Sequence, residues 1–180
     1  MIIAPNDHWR WSYDHQADRL MLDLSDQMVF ASEYRGKQLV PAAFVSAPFC
    51  VEDAALFYNF LDKIQELDWC APEKVQLVLN AIAVKRFYKP LMPQSWFFAE
   101  QPVSLTVTQG DLVWMDCQSH GHSALFVVVE EGEQASVCLH LDQEFLLCGG
   151  KPLSRFAVIK VMNNRLRRWL PPVVSLQQAV

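Results

Sequence analysis

Residues Trp9-Arg10-Trp11-Ser12-Tyr13-Asp14-His15 place Trp9, Trp11 and Tyr13 on one side of the chain and Arg10, Ser12 and Asp14 on the other. Strict alternation of this kind marks a half-buried strand. Leu20, Leu22 and Leu24 repeat it after a turn around Gln16 to Asp18. Met28-Val29-Phe30-Ala31 supplies a third strand after Ser25-Asp26-Gln27, and Lys37 to Val40 reads as a short fourth. The first 40 residues therefore predict an antiparallel meander. From Val51 the period changes. Ala54, Ala55, Phe57, Tyr58, Leu61, Ile64 and Leu67 recur at steps of three and four behind the acids Glu52 and Asp53, which predicts an amphipathic helix of about five turns. Pro72 opens a second helix, in which Val75, Leu77, Val78, Leu79, Ile82, Ala83 and Phe87 leave little polar surface before Pro90, so it should be the more buried of the two.

Beyond Pro93 the strand pattern returns, near 96–99, 104–108, 112–117, 123–130, 135–141 and 144–148. Turn chemistry separates the strands at Gln109-Gly110-Asp111, Ser119-His120-Gly121-His122 and Glu131-Gly132-Glu133. Six short strands at this spacing suggest a small barrel or a sandwich. After Gly149-Gly150, Ser154 as N-cap with Phe156, Ile159, Met162 and Leu166 at helical spacing predicts a short helix over 154–165. The fold class is α+β, with two domains: residues 1–95 carry the first strands and both helices, and residues 96–180 carry the later strands and the terminal helix.

Apolar residues make up 52% of the 180 and charged residues 19%, which excludes a disordered or collagen-like chain. The longest unbroken apolar stretch, Ala124 to Val129, is far shorter than the roughly 20 residues a membrane-spanning helix needs. No signal-peptide pattern opens the chain, so neither secretion nor membrane insertion is expected. Cys50, Cys70, Cys117, Cys138 and Cys148 lie at wide spacings without a CxxC pair and read as free thiols in a reducing cytoplasm.

The net charge of −5 hides an asymmetry. Glu144 is the last acid, and beyond it Lys151, Arg155, Lys160, Arg165, Arg167 and Arg168 give residues 145–180 a charge of +6, while nine basic against twenty acidic side chains leave residues 1–144 at −11. A second basic cluster, Lys85, Arg86 and Lys89, ends the second helix, with Phe87 and Tyr88 inside it and Trp96-Phe97-Phe98 soon after. Cations there can complement the helix C-terminus, or they can meet an acidic partner. Aromatic residues beside Lys and Arg serve protein-binding hot spots and single-stranded nucleic-acid binders alike, and the acidic remainder of the chain disfavours nucleic acid.

Motifs for catalysis are lacking. No GxSxG elbow, GxGxxG or GxxxxGK[ST] loop occurs, and the scattered carboxylates read as solvated turn residues. His120 and His122 have the spacing of a metal pair, but no third ligand accompanies them, so neither a metal nor another cofactor is expected.

Several residue strings nevertheless resemble one family in their order: Asn6-Asp7-His8-Trp9-Arg10-Trp11, Met21-Leu22-Asp23-Leu24, Phe49-Cys50-Val51-Glu52-Asp53-Ala54-Ala55-Leu56, Leu77-Val78-Leu79-Asn80-Ala81, Tyr88-Lys89-Pro90, Ile159-Lys160-Val161-Met162-Asn163 and Ser175-Leu176-Gln177-Gln178-Ala179-Val180. They resemble the ZapC family of Z-ring-associated cell division proteins, most strongly over residues 1–100. The resemblance implies an N-terminal α/β domain and a C-terminal twisted β-barrel-like domain, each with a pocket. It also implies a cytoplasmic, non-enzymatic regulator at the mid-cell division ring that binds the globular core of FtsZ, bundles its protofilaments, stabilises the Z-ring and lowers its GTPase activity. Leu22 and Lys89 match family positions tied to the N-terminal domain, Arg165 matches a basic position of the family's C-terminal helix, and Gln94 departs from a family lysine.

The expected partner-binding residues are thus Leu22, Lys85, Arg86, Lys89, Lys160 and Arg165, the partner FtsZ polymers, and the oligomeric state a monomer. An RNA-binding module built on the basic C-terminal segment is the alternative.

Overall fold

A computed structural model describes residues 3–172. Strands β1 (Arg10–Asp14), β2 (Arg19–Ser25) and β3 (Met28–Ala31) form the expected meander. Trp11 faces Leu22 and Tyr13 faces Leu20 across the first pair. Directly opposed residues share a face, so the alternation read from the sequence becomes one apolar surface with Trp9, Trp11, Leu20, Leu22 and Leu24 buried in it. A two-residue strand, β4 (Ala47–Pro48), completes the sheet in the order β3-β2-β1-β4. The fourth strand expected over 37–40 is replaced by a 3-10 turn at Gly36–Gln38 and a single bridge between Leu39 and Tyr88. That segment bonds instead to the end of the second helix, Val40 N–H to the Phe87 carbonyl and Lys89 N–H to that of Gln38.

Helix α1 (Val51–Lys63) and helix α2 (Ala71–Phe87) follow. Each opens with a carboxylate reaching back to a free backbone donor: Asp53 Oδ2 accepts Cys50 N–H at 3.2 Å, and Glu73 Oε2 accepts Cys70 N–H at 3.1 Å. Helix α1 stops before Ile64 and Leu67, which stay buried in the turn beyond it. Every residue of α2 from Leu77 to Val84 is buried. A helix apolar on all sides must be enclosed, and α2 lies between the meander and a second sheet.

That second sheet contains β5 (Leu112–Asp116), β6 (Ser123–Glu130) and β7 (Ala135–His140). A hairpin of β8 (Glu144–Leu146) and β9 (Pro152–Ser154) interrupts it before β10 (Val158–Met162) and β11 (Arg167–Arg168). The order is β10-β7-β6-β5-β11 with all neighbours antiparallel. It is an open sheet with β10 and β11 as its edges, which corrects the expectation of a barrel-like closure.

The expected helix over 154–165 is also corrected, to strand β10 and a 3-10 turn at Asn163–Arg165. Phe156 has φ +65°, outside helical space, and the β-branched residues Ile159 and Val161 alternate inward opposite Cys138 and Ser136. The strands expected near 96–99 and 104–108 are absent too. Residues Ser95–Phe97 form a 3-10 turn, and Phe98 makes one bridge to Cys117.

Strand β6 explains the longest apolar run. Leu125, Val127 and Val129 enter the core shared with both helices and the meander, while Ala124, Phe126 and Val128 enter a second cluster with Phe98, Met115, Leu153 and Ile159. A strand covered on both faces needs apolar residues at every position. The larger core therefore runs without a break from the N-terminal sheet through α2 to the inner face of the C-terminal sheet.

Candidate partner-docking cleft

Proline at position 90 ends α2 and turns the chain along the edge of β10, where Gln94 N–H donates to the Lys160 carbonyl at 2.8 Å and Ser95 Oγ accepts Met162 N–H at 2.8 Å. The helix end, this crossing segment and the β6–β7 turn enclose a cleft of about 330 Å³. Its apolar lining comes from Val84, Tyr88, Pro90, Leu91, Ala135 and Val137, and its charged rim from Lys85, Lys89, Lys160, Glu130 and Glu131. The structure thus brings together Lys85, Lys89 and Lys160, three of the six residues singled out in the sequence, from segments about seventy positions apart.

The rim cations differ in engagement. Lys85 Nζ lies 3.5 Å from Glu130 Oε1, Lys89 Nζ donates to the Lys37 carbonyl at 2.9 Å, and Lys160 has no ion-pair partner among the described residues. Such exposed contacts contribute about 0–1 kcal/mol each, so an incoming carboxylate can compete for them. Tyr88 gives the cleft a fixed wall. It packs edge-on against Tyr34 at 5.5 Å, its hydroxyl accepts a hydrogen bond from Gln38 Nε2, and burial raises its phenol above the ordinary range. Beyond Leu91 the same segment carries Met92 and Trp96, exposed at 82% and 62%. An exposed tryptophan on a segment that leaves a cationic cleft is hot-spot chemistry.

The other three residues lie elsewhere. Leu22 is completely buried, so it supports the sheet and presents no side chain to a partner. Arg86 points away from the cleft, pairs with the buried carboxylate of Asp53, donates to the Pro48 carbonyl at 3.2 Å and leans over the Phe87 ring. Arg165 faces Glu100 at 3.8 Å. Sequence reasoning missed Glu130, Glu131, Leu91 and Met92. The acid pair reads as a solvated hairpin tip, and both residues are indeed exposed; tertiary placement adds that Glu130 lies opposite Lys85.

The basic C-terminal segment forms no continuous cationic face. Arg155 meets Glu73 at 3.9 Å and stacks over Trp69, Arg165 meets Glu100, and Arg167 meets Asp116 at 2.9 Å. Half of its cations are matched by acids from earlier segments, and the RNA-binding alternative has no support in this arrangement. Among the described residues no cluster of three metal-ligating side chains occurs, and no helix is long and apolar enough to cross a membrane.

A smaller groove of about 180 Å³ lies at the other edge of the sheet, lined by Lys63, Leu105, Val107, Leu112, Arg168 and Trp169 among others. Lys63 bonds Asp111 there at 2.8 Å.

Two family models tile the chain. The model described as Cell-division protein ZapC, N-terminal, matches residues 2–89, and that described as Cell-division protein ZapC, C-terminal, matches residues 90–170. The chain belongs to the ZapC family of cell-division proteins. Similar curated relatives, each named Cell division protein ZapC, come from Aeromonas hydrophila, 59% identical over 92% of both chains, and from Musicola paradisiaca, 44% identical over 92% of this chain and 89% of its own. A third, from Proteus mirabilis, is 39% identical over 94% of this chain and 92% of its own. The two ZapC models meet at the junction between Lys89 and Pro90, within the lining of the larger cleft.

Proposed function

We propose that this ZapC-family chain is a non-enzymatic adaptor of cytoplasmic FtsZ polymers at the mid-cell division ring. It binds the FtsZ globular core, promotes protofilament bundling, stabilises the ring and lowers FtsZ GTPase activity. The observation that supports this reading, in a member of a cell-division family, is the convergence of Lys85, Lys89 and Lys160 around an apolar cleft, with Met92 and Trp96 exposed on the segment that leaves it. A partner surface with an apolar anchor between carboxylates fits such a cleft, and the charges steer encounter while the anchor supplies affinity. A cross-link between filaments needs two contacts, and the smaller groove at Arg168 and Trp169 offers a monomer its second.

Cosedimentation with GTP-assembled FtsZ tests the reading. The wild-type chain should pellet with polymer and release as salt rises, and the Lys89→Glu, Lys160→Glu double variant should stay in the supernatant with native circular dichroism. Pelleting of the double variant at the wild-type level would remove the cleft from the binding surface. Absence of wild-type pelleting would reject the partner itself.

A further inference from the structure

Among the described residues β8 and β9 pair only with each other, and an imidazole holds their hairpin at each end. At the tip, His120 of the β5–β6 turn bonds the Leu146 carbonyl through Nε2 at 2.9 Å, while its Nδ1 accepts the His122 backbone N–H at 3.1 Å. A carbonyl only accepts and a backbone N–H only donates, so this ring carries its proton on Nε2 and is neutral. At the base, His140 donates from Nδ1 to the Ser154 carbonyl at 2.8 Å. Its Nε2 is buried without a hydrogen-bond partner and lies 3.7 Å from the Asp142 carboxylate. The Phe145 ring neighbours both imidazoles, with centroids 5.5 Å from that of His120 and 6.2 Å from that of His140. The backbone around the tip is loosely enclosed, since a Cβ added at Gly121, Gly149 or Gly150 meets nothing within 4 Å, and Leu147 is the side chain that seats it in the second apolar cluster.

We infer that the hairpin is an acid-released flap, latched at its tip by neutral His120 and hinged at its base by His140. An imidazolium carries N–H on both nitrogens. Protonating His120 therefore turns Nδ1 from an acceptor into a donor facing the His122 N–H, and the ring swings out and gives up the Leu146 bond with it. The groups around His120 do not hold its charged form in place. His122 shares the turn with its ring centroid 4.7 Å away, Cys117 and Cys148 bring thiols, Lys151 of the hairpin adds a second positive charge, and Asp116 at the end of β5 is engaged by Arg167 and Ser123. Among the described residues no carboxylate lies within ion-pair distance of His120. The base responds in the opposite sense. A proton on His140 Nε2 supplies the donor missing there, with Asp142 to accept it, and Arg155, the cation at that end, is tied to the Leu141 carbonyl and to Glu73. Acid thus frees one end and secures the other, so the hairpin pivots without detaching. The pivot carries Leu147 out of its cluster and lifts Lys151 from the Phe97 ring, which it covers at 5.9 Å. A free imidazole titrates at about 6.5 and only the neutral ring closes the latch, so closure is at full strength above that value and weakens as pH falls below it. Opening gains about tenfold between about pH 7.5 and about pH 5.5.

Heteronuclear NMR of the full-length protein at about pH 7.5 and about pH 5.5 tests this. The His122 amide, whose acceptor is the ring itself, should lose about tenfold in exchange protection at the lower pH, while the Phe156 amide, bonded to the His140 carbonyl at the base, keeps its own. Solvent paramagnetic relaxation of the Leu147 methyls and the Phe97 ring should rise over the same range. His120→Gln, which retains an Nε2 donor but cannot be protonated, should abolish the pH response, and His122→Ala, which leaves the backbone N–H in place, should preserve it. A response of wild-type size in His120→Gln, equal loosening of tip and base, or a His122 amide that loosens while Leu147 and Phe97 stay shielded would overturn the inference, as would a tip indifferent to pH.

Discussion

Asp53 in the first turn of α1 and Arg86 in the last turn of α2 form an ion pair that joins the start of one helix to the end of the other. The carboxylate is 3% exposed and also accepts the Trp11 Nε1–H at 3.1 Å and the Cys50 backbone N–H, so strand, helix start and helix end meet at one oxygen. Each charge also sits at the helix end whose dipole favours it. Arg86 is therefore a structural cation, and the basic cluster at the end of α2 divides into one internal residue and two that line the cleft.

Replacing Arg86 by Met should destabilise the protein by about 3 kcal/mol, because it leaves a buried carboxylate without its counter-charge. Trp11→Phe should cost about 1–3 kcal/mol through the lost donor. Urea unfolding midpoints followed by tryptophan-independent far-ultraviolet circular dichroism check both. A neutral Arg86→Met would show that Asp53 is satisfied by its N–H donors alone.

Leu22→Ala should cost about 2–5 kcal/mol, the range for a fully buried leucine. Any loss of polymer binding in this variant should follow loss of folded protein, so cosedimentation at a temperature below its unfolding transition should recover. Lost binding in a fully folded Leu22→Ala protein would point to a surface effect that the buried side chain does not explain.

Trp96→Ala should do the reverse. The side chain is 62% exposed, so stability should change by no more than about 0.5 kcal/mol. Its loss should weaken FtsZ cosedimentation markedly if the exposed aromatic is an anchor, by about 2 kcal/mol or more. Unchanged binding would restrict the contact to the lysine cleft.

Acid stability should depend on Asp116. Hydrogen bonds from Arg167 first, then from Ser123 and Gln101, hold its carboxyl below the ordinary value of 3.8. A depressed carboxylate contributes stability that is complete above its unfolded value and disappears as pH falls through the folded one. Asp116→Asn should therefore flatten the fall in unfolding midpoint below about pH 4 and leave the neutral region with a constant offset. An unaltered acid limb would place the responsible groups elsewhere.

Burial alone pushes the Cys138 thiol up to about 12, so it carries almost no thiolate at neutral pH. Iodoacetamide should label exposed Cys70 first and Cys138 only after unfolding, as read by peptide mass spectrometry. Labelling of both at equal rates in the native protein would show that the core around β7 opens readily.

The strands β1 to β3 and helix α1 were legible because each buries one continuous apolar surface with the period of its own backbone, as Trp9, Trp11, Leu20 and Leu22 show, and α2 because an apolar run follows Pro72 and stops before Pro90. The 154–165 segment was not. Phe156, Ile159, Met162 and Leu166 happen to fall at helical steps, while the signal that governed the outcome was the β-branched alternation of Ile159 and Val161 under Cys138 and Ser136. Ladder bonds to β7 decide that contest, and they are invisible locally. The open sheet was equally hidden, since six strands at even spacing fit open and closed arrangements alike. Of the cleft, the lysines were visible as cations, but Arg86 looked the same as Lys85 and Lys89. Only the position of Asp53 separates them.

From Leu77 to Val84 helix α2 has no free side, and this makes the chain hard to divide in a practical sense. The two family models meet just past its end, which invites expression of residues 2–89 and 90–170 as separate pieces. The first piece would hold α2 with the face that meets Leu125, Val127 and Val129 bare to water, and the second would carry those three side chains uncovered. Each fragment would expose a broad apolar plane suited to aggregation, or to recombining with the other. Mixed together, the two pieces should behave as a split protein whose reassembly rebuilds the lysine cleft at their junction.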